Sequence, residues 1–529
     1  MKLAAIILLI PVATCVPFRQ CLADIRKGKW GLEGGFDSHG NPASDISMAN
    51  AISYDLCKRA CGTAPQPLKW PDFTPQFSAW LLPSLALVSL LPFGANNLLA
   101  NLMSMFLAIG SPTLAAYSLA LTVLNGRWIA RRFESYGYPD AHSAVRFLNS
   151  LQQSPLRVTT GPLLADHVVP LPGHHRDRWW SMLAASWLSH THTWSISAAT
   201  SILWVLVAYV LTVVGSFKNE LNTTIDSHGQ AIGSLWLWLL PIITYWLQIS
   251  PKHNPVRLQE EVERTGTVAY AVAPSGDPMK IVHGECAISF SFPKGRCSNI
   301  DAWCTAPIYN YARFLPWVKD IEFVCNSHRA AQGRRHCNVP WRFLVASLLA
   351  LFLQWGTTGA AIVINWFTPT IGKTNVALLP LLIFSRCGPY FSGLGCHSGA
   401  SLLYGGMGTL IWIILILSSF LSHYSTSQNE IASARVVRLS VILRWFGKFF
   451  AILNSIWVVA FCLLQLGNFF DRCWCDGGVI QRGADAYIVI EYIQDDITSM
   501  KRGWTAGVSL AVGSTSLYVA IILLFMYFP

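Results

Sequence analysis

The stretch FLVASLLALFLQWGTTGAAIVINW, Phe343–Trp366, decides the fold class of this chain. It carries no charged side chain, and it exceeds the roughly 20 apolar residues that a helix needs to cross the hydrocarbon core of a bilayer. A helix is expected because only helices and closed barrels satisfy their own backbone hydrogen bonds in lipid. Six more stretches are similarly apolar: Leu98–Leu124, Trp194–Val214, Leu235–Ile249, Leu402–Leu421, Phe449–Leu466 and Val508–Phe528. The sequence therefore predicts an all-α polytopic membrane protein with about seven transmembrane helices.

The composition supports this class. Of the 529 residues, 53% are hydrophobic and only 12% are charged, about half the charged fraction of a soluble domain, which is roughly 25%. The net charge of +11 comes from Lys and Arg that lie mostly in loops beside the apolar stretches. There they contact anionic lipid headgroups and set orientation. The expected partners are therefore the lipid bilayer and its anionic headgroups, together with an unidentified small ligand or membrane protein, and not nucleic acid.

The N-terminus predicts entry into the secretory pathway. Residues 1–16 resemble a signal peptide, with Lys2 before the apolar run Leu3–Ile10. Residues 17–75 then form a small cysteine-containing ectodomain, in which Ala49–Ala60 predicts a short helix. The expected location is the plasma membrane or an endomembrane. The ectodomain would then face the secretory lumen or the cell exterior, both of which are oxidising. We therefore expect a disulfide from Cys21 to Cys57 or Cys61, the alternative being that one or more of these thiols stay free.

The number of spans depends on Trp80–Phe93, an apolar run that contains two prolines. Runs of this length are more often re-entrant or interfacial than spanning. We therefore expect residues 76–124 to form a re-entrant segment plus the first transmembrane helix. The later parts would be a basic loop (125–193), two transmembrane helices (194–250), a soluble α+β loop domain (251–341, with Thr267–Ala273 extended) and four transmembrane helices (342–529).

With an outside N-terminus, seven spans leave the Arg-rich loops inside, in agreement with the positive-inside rule, and put the glycosylation sequon at Asn222 outside. The alternative is eight spans, with Trp80–Phe93 crossing the membrane. That arrangement reverses the later loops and places the loop-domain cysteines in an oxidising space (Cys286, Cys297, Cys304, Cys325 and Cys337).

Several short motifs resemble a filamentous-fungal family of multi-pass membrane proteins. They are Ala51–Gly62, Leu91–Gly94, Gly110–Thr122, Gln354–Gly359 and Trp366–Gly372. The resemblance implies an organism group and a topology class, but no activity. Residues 373–392 depart from the pattern, and because Gly372-Lys373 can be encoded by a donor splice site, we interpret them as an intron-derived insertion.

Few residues suggest chemistry. One histidine group precedes the second span (His167, His174, His175, His190 and His192), but it lacks the repeated boxes of a di-iron membrane enzyme. Glu491, Asp495 and Asp496 are spaced along one helix face, and a solvated face is favoured over a cation site.

Two further motifs favour structure over chemistry. Cys473-Trp-Cys475 cannot easily close on itself, so it pairs elsewhere, binds a soft metal or carries a lipid, with an ordinary structural role as the default. Gly110-Ser-Pro112 predicts a mid-span kink, favouring helix packing over a ligand cavity.

These observations predict no catalysis, no cofactor and no metal site. The function expected is that of a non-enzymatic membrane component acting in sensing, scaffolding or accessory transport. A seven-span ligand receptor is the first alternative. A membrane enzyme that uses the histidine-rich loop is the second.

Overall fold

The structure of this chain is a computed structural model. It describes residues 23–91, 98–133, 149, 195–218, 223–249, 270–272, 278–280, 339–367, 395–427, 434–489 and 494–527, except for 32, 38–39, 44–45, 64–67, 69, 478 and 480–482. The helices are α1 Tyr54–Cys61, α2 Trp70–Gln76, α3 Leu82–Val88, α4 Leu98–Gly110, α5 Pro112–Phe133, α6 Ile196–Lys218, α7 Thr223–Trp236, α8 Leu239–Ile249, α9 Val339–Trp366, α10 Cys396–Ser427, α11 Ala434–Leu466, α12 Cys473–Asp476 and α13 Gln494–Tyr527. The strands are β1 Gly35–Phe36, β2 Ala51–Ser53, β3 Tyr270–Val272, β4 Pro278–Lys280 and β5 Tyr487–Val489.

Six of the described helical segments are long and apolar enough to cross a membrane. They are Ile196–Gly215, His228–Ile249, Pro340–Trp366, Cys396–Leu421, Arg438–Leu466 and Met500–Tyr527. A seventh results if the bent pair α4 and α5 counts as one span. These lengths and compositions are consistent with the integral membrane protein that the sequence predicts.

The expected first span, Leu98–Leu124, is not one continuous helix. It is divided at Ser111, where α4 and α5 meet at a bend of 104°. Pro112 explains why the break falls here, because proline has no backbone N–H and its ring clashes with the preceding turn. The predicted kink at Gly110-Ser-Pro112 is thus confirmed, but as a sharp break.

Polar side chains from the neighbouring helices bond the backbone groups around this break. Tyr404 Oη donates to the Ile109 carbonyl (2.8 Å), and Asn454 Nδ2 donates to the Gly110 carbonyl (2.7 Å). On the other side, the Thr113 N–H donates to Gln354 Oε1 (2.9 Å). Such matching is required because an unbonded backbone group in lipid costs several kcal/mol, and it favours packing as the role of the kink.

Helix α9 lies at the centre of the bundle and packs against α5, α7, α10 and α13. Small residues allow close approach at these crossings. A Cβ atom built on Gly356 would lie 2.3 Å from Ser514, and one on Gly507 would lie 2.5 Å from Ile364. Close backbone approach of this kind is typical of helices that associate in membranes.

The bundle is capped by a small mixed domain, which the all-α prediction missed. Strand β2 pairs antiparallel with both β1 and β5, so that residues separated by more than 400 positions share one sheet. The predicted helix Ala49–Ala60 begins later than expected, at Tyr54, because residues 51–53 form β2. Ser53 Oγ caps α1 by accepting from the Leu56 N–H (3.3 Å), and Gly62 ends it with a φ of +77°. We call residues 23–62 together with 473–489 the cap.

Other predicted boundaries also shift. The Trp80–Phe93 run lies largely in a segment that changes from α2 through a π-helical turn, Phe77–Leu81, to α3, which ends at Val88. This segment is not among the described helices long enough to span a bilayer. In the predicted loop domain, β3 lies within the expected extended stretch Thr267–Ala273 and pairs with β4. The rest of residues 251–338, the insertion 373–392 and the signal peptide 1–16 lie outside the described residues.

Candidate functional site

Four polar side chains meet at one end of the bundle, directly below the cap. His228 is near the start of α7 and His397 is in the first turn of α10, while Asn365 and Gln465 lie in the last turns of α9 and α11. Asp471 follows in the turn that leads from α11 to the cap. We call these five residues the outer histidine cluster.

The two imidazoles are stacked in the centre of this cluster. Their ring centroids are 4.2 Å apart and their planes differ by 11°. Phe470 packs edge-on against His397 at 5.2 Å. His397 is only 4% exposed, and neither of its ring nitrogens has a hydrogen-bond partner in the described part of the chain. A buried polar group without a partner is costly, and in a native protein it requires an explanation.

Asn365 and Gln465 hold the second imidazole. His228 Nδ1 lies 3.4 Å from Asn365 Oδ1 and 3.2 Å from Gln465 Nε2. Gln465 Nε2 also donates to Asn365 Oδ1 at 3.2 Å. The tautomer of His228 decides which contact is a bond: with the proton on Nδ1 it donates to Asn365, and the lone pair of Nε2 is then available to a ligand.

The arrangement includes metal-ligating groups. Side-chain ligand atoms of His228, His397 and Asp471 all lie within 4.8 Å of one another. A second group of this kind, Cys57, Cys61 and Cys473, is engaged otherwise, because all three cysteines are disulfide-bonded. Two imidazoles and a carboxylate are ligands that borderline metal ions accept.

Disulfides connect the cluster to the cap. Cys396, next to His397, is bonded to Cys475, and Cys473 is bonded to Cys57 (Cα–Cα 5.3 and 5.9 Å). The start of α10, the turn that carries Asp471 and the N-terminal segment are thereby held together covalently. Asp471 also acts on a second carboxyl of this region: burial, and after it the charge of Asp471, hold the pKa of Asp476 well above its usual range, despite a backbone hydrogen bond from Arg472.

The structure gives mixed outcomes for the cysteines named from the sequence. Cys57 pairs with Cys473, so it is not the partner of Cys21. Cys61 is disulfide-bonded to a cysteine outside the described residues, and a Cys21–Cys61 pair stays a prediction. Of the roles considered for Cys473-Trp-Cys475, pairing elsewhere is the one observed.

The remaining residues named from the sequence lie outside the described residues or at the start of α13. Asn222, Glu491 and the histidine group of the basic loop (His167, His174, His175, His190 and His192) lie outside the described residues. Asp495 and Asp496 fall in the first turn of α13.

Sequence reasoning missed the outer histidine cluster because its members are single residues scattered over more than 240 positions. A signal was nevertheless available in the expected seven-span topology. His228 and His397 precede spans that enter from the outside, while Asn365 and Gln465 end spans that arrive there. All four residues therefore lie near span ends on the same side of the membrane, and the expected topology could have predicted that they form a group.

Comparison with protein-family models, with curated proteins and with solved structures finds no match for this chain. The resemblance to a fungal membrane family therefore stays a prediction.

Proposed function

We propose that this protein is a non-enzymatic, multi-pass membrane protein that senses a small solute from the extracytoplasmic side. The observation that carries the proposal is the buried His228–His397 pair below a disulfide-linked cap. A ligand bound by this pair would contact the ends of two helices and, through Asp471, the segment that leads into the cap. Binding would thus change how the cap and the bundle are held together, which is what a sensor requires.

The orientation follows from the disulfides. Disulfides form and persist in oxidising compartments, so the cap faces the secretory lumen or the cell exterior. Cys57, Cys396 and Cys473 must then lie on that face. Between Cys57 and Cys396 the chain must therefore cross the membrane an even number of times.

Contacts along the chain favour four crossings in this interval. Gln76 and Trp80 lie against Gly229, near the outer histidine cluster, whereas Pro83, Ser84 and Leu87 line a small cavity with Trp236, Leu237 and Leu240, deeper in the bundle. The segment α2–α3 thus descends from the cap side. Helix α5 reaches the opposite end of the bundle, where Arg342 donates to Asn125 Oδ1 (2.7 Å).

On this reasoning, α2 to α5 together make one broken crossing. The three helices Ile196–Gly215, His228–Ile249 and Pro340–Trp366 complete the four. With α10, α11 and α13 the total is seven, and the Arg-rich loops face the cytoplasm.

Thiol labelling in intact cells tests this orientation. The cysteines between Cys286 and Cys337 should react with a membrane-impermeant maleimide only after permeabilisation. Asp485→Cys, at an exposed position in the cap, is the control and should be labelled without permeabilisation. Labelling of the loop cysteines in intact cells would overturn the seven-span arrangement.

A solute screen tests the sensing role. The purified full-length protein should unfold at a higher temperature in the presence of its ligand, since a ligand that binds only the folded state stabilises it. His397→Asn, with the shape of the side chain roughly kept, should abolish this shift. A ligand that is consumed during the incubation would contradict a non-enzymatic role, and a shift that survives in His397→Asn would place the site elsewhere.

A seven-span ligand receptor remains a second candidate. It is favoured by the count of up to seven spans and by the cap, which joins the N-terminal segment to the end of α11 through Cys57–Cys473. Co-purification of a cytoplasmic partner that depends on the ligand would favour this receptor, and a ligand response without any such partner would favour the simpler sensor.

A further inference from the structure

We infer that the ligand of the outer histidine cluster is a divalent transition-metal ion of the zinc type, bound by His228, His397 and Asp471. This inference rests on the proposed function and names the class of solute that the cluster takes. The three side chains supply two neutral nitrogens and one carboxylate oxygen within 4.8 Å. A His₂-carboxylate set is a known combination for zinc, and three protein ligands leave a fourth position for water.

His397 is the strongest argument for a ligand. It is 4% exposed, and both of its ring nitrogens lack a hydrogen-bond partner among the described residues. A histidine that only filled space in the bundle would leave these two polar atoms buried at a cost. A metal ion removes that cost at one nitrogen, and water or a polar group drawn in with the ion can serve the other.

The stacked arrangement requires a rearrangement before a metal ion is bound. Ligands about 2.0–2.1 Å from a tetrahedral zinc ion lie about 3.3 Å from one another, which is closer than the present spread of up to 4.8 Å. The parallel rings must also turn so that their lone pairs converge. His397 can turn without losing a hydrogen bond, because its ring nitrogens make none among the described residues.

His228 already has the support that a metal ligand needs. Ligating histidines usually donate the other ring N–H to an oxygen, which fixes the tautomer and the orientation of the ring. Asn365 Oδ1, 3.4 Å from Nδ1 of His228, is placed to accept that hydrogen bond. Asn365 would therefore act as a positioning residue, with Gln465 holding its oxygen in place at 3.2 Å.

The ion also explains why the cap is covalently tied to this end of the bundle. His397 follows Cys396, and Asp471 lies two residues before Cys473. The Cys396–Cys475 disulfide joins the two segments that carry these ligands. Bound metal would then add a second, reversible link between α10 and the turn leading into the cap.

Metal binding to the full-length protein tests the inference. The protein is purified in detergent, stripped with a chelator and dialysed against Zn²⁺, and the bound metal is measured by mass spectrometry. We expect about one Zn²⁺ per chain. Co²⁺ alone, used as a spectroscopic probe, should give the strong visible absorption of a tetrahedral site, because zinc sites of this type impose that geometry.

Variants locate the ion. His397→Asn and Asp471→Asn should lose the stoichiometric Zn²⁺ and the Co²⁺ absorption, while Asn365→Leu should weaken the affinity by about 10–100-fold, as expected for a residue that orients a ligand. The controls are His174→Ala in the basic loop and Asp485→Asn on the exposed cap, and both should bind as the wild type does. The thermal unfolding of each metal-free variant is measured alongside, so that misfolding is recognised.

The outcomes separate this inference from the proposed function. Zn²⁺ binding that persists in a folded His397→Asn variant, or that is lost in His174→Ala, would overturn the inference. A wild type that binds no transition metal but shows another ligand response sensitive to His397→Asn would overturn it too, yet leave the sensing role standing. Cluster variants that change no ligand response at all would overturn both.

Discussion

Gln354 and Thr113 are 241 positions apart, yet the side-chain oxygen of Gln354 accepts a hydrogen bond from the Thr113 backbone N–H at 2.9 Å. The same oxygen also accepts from the Thr113 hydroxyl. At its other end the Gln354 amide donates to the Gly405 carbonyl (2.6 Å) and to Thr409 Oγ1 (3.0 Å). One buried side chain therefore joins α9 to the broken span and to α10.

Replacing this residue should destabilise the whole bundle. In Gln354→Leu the Thr113 N–H and the Gly405 carbonyl lose a partner in a dry interior, at a cost of about 1–3 kcal/mol. We expect a lower midpoint of thermal unfolding in detergent, followed by the fluorescence of the tryptophans. Leu348→Ala, in the same helix but 58% exposed, is the control and should change the midpoint little. Equal midpoints for Gln354→Leu and the wild type would show that the bonds around the break do not stabilise the bundle.

Two glycines of α7 make room for Trp80. A Cβ atom on Gly229 would lie 2.1 Å from Trp80 Nε1, and one on Gly233 would lie 2.5 Å from Trp80 Cε3. Gly233→Val should therefore force the 4%-exposed tryptophan out of its place and lower the unfolding midpoint, since overpacking typically costs about 1–3 kcal/mol. The midpoint is measured in the purified protein.

A second substitution makes this prediction specific. Trp80→Ala removes the clashing ring, so Gly233→Val should cost much less in the Trp80→Ala background than alone, a coupling that a double-mutant cycle measures. Gly406→Ala is the control for glycine replacement in a helix, because open space surrounds its Cβ position, and it should be neutral or slightly stabilising. Additive effects of the two substitutions would mean that Trp80 and Gly233 do not compete for the same space.

Arg342 is a buried cation whose partners suit a guanidinium rather than an ammonium. Its Nη1 donates to Asn125 Oδ1 at 2.7 Å, and its Cζ atom lies 4.1 Å from the ring centroid of Trp128. Lysine keeps the charge but not the planar group that stacks and bonds at once. Arg342→Lys should therefore lower the stability by about 1–2 kcal/mol, near the value of a desolvated cation–π contact.

The matched control is Arg438→Lys, because Arg438 is exposed. Chemical unfolding of both variants in the same detergent gives the comparison. A loss that is equal in the two variants would assign the effect to lysine in general and not to the contacts with Asn125 and Trp128.

Apolar length was enough to predict the bundle, since it is a local property of each stretch. Pro112 likewise marked the break, because proline acts on its own helix. The angle of the bend could not be predicted, since it depends on contacts with Tyr404, Gln354 and Asn454 from distant helices. His228 and His397 were missed for the same reason: each is an ordinary single histidine until the fold stacks one on the other.

The cysteine pairing shows the same limit in a form that can be measured directly. Connectivity cannot be deduced from spacing alone. Of the two partners predicted for Cys21, Cys57 is excluded because it is bonded to Cys473, 416 positions away, and Cys61 stays a prediction. The difference has a clear signature after digestion with trypsin. Cleavage after Lys29, Lys58, Arg472 and Arg482 yields the peptides Trp30–Lys58 and Cys473–Arg482. Under non-reducing conditions we expect them in one cross-linked species, which also contains the peptide Cys387–Arg435 because Cys396 is bonded to Cys475.

Reduction should release all three peptides. Cys57→Ser should remove Trp30–Lys58 from the species, while Cys61→Ser should leave the species in place. Cys61 is the suitable control because it lies in the same short helix, and its ligand atom is within 4.8 Å of those of Cys57 and Cys473. A wild-type protein in which Cys473–Arg482 is linked to Ala60–Lys69, the peptide that contains Cys61, would show that the cap pairs Cys473 with Cys61 instead. The cap and the end of α11 would then still be joined, so the extracytoplasmic position of the outer histidine cluster would hold, but the register of α1 against α12 would differ.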